Sequence, residues 1–175
     1  MKEVLDTYHK KYNDIILVWE KIGFLDGVED ENDKQNLSIM YEDIYEYFSH
    51  KDKLTNNENS FETIYFPLAR RIYVNSGLSK PIEFSCILNL LKEIKIKDVI
   101  KKFNSESYKD IYDICEKNNI LDKPIYDIDL FKFYDNVWLK MKTVFPIYID
   151  MDATITVIVS EIIVENILKN NETNV

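Results

Sequence analysis

Phe61-Glu-Thr-Ile-Tyr-Phe-Pro-Leu-Ala-Arg-Arg-Ile-Tyr-Val-Asn75 decides how the chain is read, because it sets the only two arginines, Arg70 and Arg71, in a dense aromatic and aliphatic patch. Pro67 suits a first helical turn, where its fixed φ and missing N–H are harmless. Beyond it Leu68 and Ile72, with Tyr65 and Tyr73, recur at helical spacing, so the arginines are expected on a short helix with one apolar side. Guanidinium makes planar, two-pronged pairs with carboxylate. Glu42, Asp43 and Glu46 mark one side of another helix, a solvated face or a source of arginine partners. An interfacial or core ion pair joining Arg70 and Arg71 to Glu42 and Glu46 is the resulting expectation.

Spacings of three and four recur outward from this hub. Leu5, Tyr8, Tyr12, Ile15, Ile16, Trp19 and Ile22 predict one helix over Val4–Ile22, closed by Gly23. The acidic run from Glu29 to Asp33 offers capping oxygens to a second helix over about 34–50, and residues 49–60 read as a polar loop. Pro81 marks a fresh helical start, and Ile82–Ile94 continues through Val99, Ile100 and Phe103. Ser107 and Asp110 approximate a capping box for a helix through Ile111, Ile114 and Cys115, closed by Asn118 and Asn119. The most regular seam is Phe131, Tyr134, Trp138, Met141 and Phe145, which with Trp19 forms the expected packing surface between helices. Ala153–Ile167 reads as a buried helix capped by Asp152. Its β-branched run leaves a small hairpin near 147–159 as the alternative. Residues 170–175 form a polar tail.

Composition agrees with helices. The 175 residues are 46% hydrophobic and 30% charged, with 3 glycines and 4 prolines, too few for the many turns of a β-sandwich. A single all-α domain over 1–175, a bundle of about six to eight helices, is expected. The net charge of −9 argues against nucleic-acid binding, which needs clustered cations. No segment reads as a membrane span, since the most apolar run, Ala153–Val164, is short and contains Glu161.

Reaction chemistry is not legible. His9 and His50 lie far apart among polar residues, and Cys86 and Cys115 read as reduced, buried thiols without zinc-ligand spacing. Glu29–Asp33 lacks the glycine a calcium loop requires, so capping is the preferred role. Asp127 with Asp129, and Asp150 with Asp152, sit just before predicted helices, where capping again outweighs acid–base work. No glycine-rich phosphate loop or nucleophile elbow is present. No catalytic residue, metal site or cofactor is assigned.

Two segments resemble the N-terminal region of tailed-phage major capsid proteins. One is Trp19-Glu-Lys-Ile-Gly23-Phe-Leu-Asp-Gly27, followed by Leu37 and Tyr41-Glu42; the other is Phe66-Pro-Leu-Ala-Arg-Arg71. The rest departs from that family, whose capsid domain needs greater length and abundant β structure. The resemblance implies a virion-associated relative or partner, not a shell subunit, and supplies no catalytic residues. The expectation is a non-enzymatic structural or assembly protein of a phage virion (a neck, connector or auxiliary component) working through protein contacts as a homo-oligomer or larger assembly. An acidic immunity or inhibitor protein that binds a basic partner is the alternative. Met1-Lys-Glu-Val leads straight into an amphipathic pattern without a signal peptide, which implies a virion or host-cytoplasm location and no secretion.

Overall fold

A computed structural model describes residues 2–49, 58–102, 105–125 and 151–173. Among them are eight α-helices and no strand, so the chain is all-α. The helices are α1 (Lys2–Lys11), α2 (Ile15–Ile22), α3 (Glu31–Ser49), α4 (Glu58–Ser76), α5 (Phe84–Glu93), α6 (Ile96–Ile100), α7 (Ser105–Lys117) and α8 (Met151–Thr173). They gather into two compact units, Met1–Phe84 and Ser85–Val175.

In the first unit, the single helix expected over Val4–Ile22 is two. Asp14 takes an extended backbone and its Oδ1 accepts from Ile16 N–H at 3.0 Å, so it caps a new helix instead of continuing the old one. Gly23 ends α2 as expected: its φ of 95° is the left-handed conformation that costs glycine least. Asp30 Oδ1 accepts from Asp33 N–H, the capping role read for the acidic run, and α3 starts at Glu31. The arginine helix starts well before Pro67, which lies inside α4 and not in its first turn. Proline there deletes one backbone hydrogen bond, and its ring lies on the exposed side of the helix. Glu58–Ser60, read as loop, belong to α4, and residues 50–57 lie outside the described set. The expected apolar side is present, with Tyr65, Leu68, Ile72 and Tyr73 all buried.

Aromatic rings fill this unit. Trp19, fully buried, has Phe24, Tyr41 and Phe66 within 5.5 Å, centroid to centroid. A second group joins Tyr47, Phe48, Tyr65 and Phe84. Near the far end of α3, Asn36 Nδ2 donates to the Tyr73 hydroxyl and to Ser79 O, and Tyr73 donates to Asp33 Oδ1. Burial, with that bond to Asp33, raises the Tyr73 phenol above its ordinary pKa.

In the second unit α6 packs on α7 and α8. Pro81 precedes α5 by three residues and is not in its first turn. The segment after α7 folds back, with Ile96 N–H donating to Lys123 O and Ile125 N–H to Ile94 O around an isolated bridge between Lys95 and Pro124. Asn119 has φ 55° just past α7, a left-handed stop consistent with its expected closing role. Ser107 lies inside α7, which begins two residues earlier. Met151–Thr173 is helical throughout, so the β-branched run is not a strand. Burial of Ile158, Val159, Ile162 and Ile163 against the unit's core decides it over local propensity. The helix also takes in residues 170–173 of the expected polar tail, and places Asp152 in its first turn, not before it. Cys115 is buried, which pushes its thiol up to about 11, whereas Cys86 is exposed and not the buried thiol expected. Residues 126–150 lie outside the described set, and with them Phe131, Tyr134, Trp138, Met141 and Phe145 of the packing seam, Asp127, Asp129 and Asp150, and the first arm of the hairpin alternative.

Candidate functional site

The side chains with most to do in the first unit converge on α3. Glu42 Oε1 accepts from Trp19 Nε1–H at 2.9 Å and lies 2.5 Å from His9 Nε2. His9 Nδ1 is 2.7 Å from Leu5 O; a carbonyl only accepts, so Nδ1 donates there. The imidazole stacks on Tyr45, with centroids 4.0 Å apart and planes 8° from parallel. Tyr45 in turn donates to Asp6 Oδ1 at 2.5 Å. Burial, then that bond to Asp6, pushes the Tyr45 phenol up to about 12. His9, read as a solvent-facing residue without partners, therefore ties α1 to α3. Its place was detectable: it follows Leu5 by one helical turn and shares that residue's face.

The expected pairing of arginine with the acidic helix is not what Arg70 does. Its guanidinium donates through Nη1 to Phe24 O at 3.0 Å and through Nη2 to Asp26 O at 2.6 Å. The fork thus closes the loop between α2 and α3 by satisfying two carbonyls, while Glu42 is engaged by His9 and Trp19. Gly27 beside it has φ 82°, a left-handed backbone that favours glycine, while a Cβ there would make only ordinary contact with Nη2 at 3.6 Å. Phe24 O also accepts from the Tyr41 hydroxyl. Burial raises that phenol to about 12, and the nearby Arg70 charge opposes the rise. Arg71 is exposed and makes no ion pair among the described residues. The two neighbouring arginines have different environments because successive helical side chains point about 100° apart.

On the other side of Glu42 lies an open cleft of about 550 Å³. Its apolar lining comes from Ile15, Ile39, Met40, Pro81 and Ile82. Glu42, Asp43, Glu46 and Glu83 supply the rest, so every charged residue lining it among the described residues is acidic. Asp43 is held in place: its Oδ2 accepts from Phe84 N–H at 2.8 Å, at the start of α5. Ile15 and Ile39 are 36% and 39% exposed, apolar surface left open to solvent beside the carboxylates. Of the expected ion-pair residues, Glu42 and Glu46 meet here, and Arg70 and Arg71 are not among the lining residues. The turn at 81–83 that walls the cleft was not legible, because Pro81 looked like a helix start.

Among the described residues no group of three or more His, Cys, Asp or Glu is disposed to hold a metal ion, and no helix is long and apolar enough to cross a membrane. No known protein family, curated protein or solved structure matches this chain.

Proposed function

We propose that this chain is a non-enzymatic binding protein that docks a basic protein partner on the acidic cleft of its first unit. The observation that carries this is the cleft's lining: apolar residues open to solvent beside four carboxylates, with no lysine or arginine among the described lining residues. Protein interfaces combine an apolar centre with a polar rim, and like charge on that rim steers an oppositely charged partner and rejects others. The chain's net charge of −9 supports the same polarity. The expected result is a complex between the purified chain and one basic protein whose Kd rises steeply with ionic strength, and which weakens further when Glu46 is changed to lysine. A complex insensitive to both salt and Glu46→Lys would place the contact elsewhere.

A second reading, an assembly component of a phage particle, is favoured by one specific observation. The two segments that resemble capsid proteins pack against each other: Arg70 donates to Phe24 O and Asp26 O, and the Trp19 and Phe66 rings lie 5.4 Å apart. It is tested by mass spectrometry of purified virions and by the mass of the chain in solution. Recovery of the chain from virions, as an oligomer, is the expected result; a strict monomer absent from particles would reject it.

A further inference from the structure

The cleft has features beyond its charge that bear on what fills it. Its α3 wall runs from Ile39 to Glu46, about 10 Å at the helical rise, which an extended segment spans in about three residues. Ile39 and Met40 lie toward one end of that wall and Glu42, Asp43 and Glu46 follow, with Ile15, Pro81 and Ile82 supplying the rest of the apolar lining. Glu42 is the most constrained of the acids. Its side chain is only 18% exposed, and Oε1 is fixed by both Trp19 and His9. Among the described residues Oε2 has no hydrogen bond, so an oriented carboxylate with a spare oxygen lines the cleft. Such a group binds a cation without the entropy loss of ordering a long, free side chain.

We infer that the cleft accepts a short extended segment of a basic partner in which one apolar residue is flanked by lysines or arginines, the apolar side chain seated against Ile39 and Met40 and one cation paired with Glu42. This rests on the proposed docking role and narrows it to a sequence pattern. Charge complementarity selects the flanking cations, and the apolar lining selects the central residue. A free polyamine has the charge but lacks the branched apolar group that this lining would bury.

The test uses fluorescence anisotropy with fluorescein-labelled Gly-Lys-Leu-Lys-Gly, Gly-Lys-Gly-Lys-Gly and Gly-Glu-Leu-Glu-Gly on the full chain. The leucine peptide with lysines is expected to bind about tenfold more tightly than its glycine counterpart, the effect of burying one leucine, and the glutamate peptide not at all. Glu42→Gln keeps an oxygen for Trp19 and is expected to weaken the lysine–leucine peptide about tenfold. Ile39→Asp, at a partly exposed position that does not threaten folding, is expected to remove the preference for leucine. Equal binding of the two lysine peptides, with Glu46→Lys weakening both, would overturn the segment pattern and leave the docking role standing. Lysine peptides that bind wild type and Glu46→Lys alike, or fail to bind at all, would overturn both. Spermine competing as well as the lysine–leucine peptide would assign the cleft to free polyamines and reject the inference.

Discussion

Trp19→Ala is expected to destabilise the chain by about 3–5 kcal/mol, the range for deleting a large aromatic from a packed core. The residue is 0% exposed, and its ring is shared among Phe24, Tyr41 and Phe66, so no single neighbour can move in to fill the space. The indole N–H also goes, leaving Glu42 with His9 as its remaining partner. Trp19→Phe separates the two contributions. It restores most of the packing and omits the hydrogen bond, so a residual loss of about 1–3 kcal/mol is expected. Urea unfolding followed by far-ultraviolet circular dichroism measures both, with the slope checked for constancy. A Trp19→Ala chain within about 1 kcal/mol of wild type would mean that the aromatic cluster does not organise the first unit.

The second large effect divides two adjacent residues. Arg70→Ala removes donors from Phe24 O and Asp26 O, and is expected to cost about 2–3 kcal/mol, as for hydrogen bonds made by a charged donor. Arg71→Ala, at an exposed position, is expected to change stability by less than about 0.5 kcal/mol. Arg70→Lys should recover only part of the loss, because an ammonium lacks the rigid fork that spans both carbonyls. Equal melting shifts for the two alanine variants would contradict the asymmetry. The sequence alone treats the arginines as a pair, and expects either substitution to lower stability or assembly.

Helices were legible wherever one face had to be buried. Leu37, Met40, Tyr41 and Ile44 on α3, and Leu68 and Ile72 on α4, occupy the core as their spacing requires. Boundaries failed where a short polar side chain or a proline acted in a way periodicity does not register. Asp14 split a stripe that looks continuous because the apolar spacing passes through it unbroken. The sequence places Pro67 and Pro81 both in first turns. One lies inside a helix on its wet side and the other in an irregular turn, a choice made by packing and not by the residue's own φ.

The candidate site was half visible. Glu42 and Glu46 stood out as acids at helical spacing, but their partners come from far along the chain: His9 is 33 residues from Glu42, and Phe84 N–H is 41 from Asp43. Such pairings depend on how α1, α2 and the turn before α5 pack on α3, which no local pattern encodes. The same holds for Arg70. An arginine in an acidic protein invites a carboxylate partner, yet the loop between α2 and α3 leaves carbonyl oxygens at the guanidinium, and these took it.

The interruption at Asn13 and Asp14 has a mechanical meaning. A continuous rod can swing its first ten residues only by tearing its own backbone ladder. Here the ladder already ends with Tyr12 N–H donating to Tyr8 O, and restarts with Val18 N–H donating to Asp14 O. The attachment of α1 to its neighbours therefore falls to side chains, chiefly buried Leu5, Asp6 on Tyr45, and His9 on Glu42. It is a hinged arm held by three clasps, one of which fastens to a residue lining the cleft.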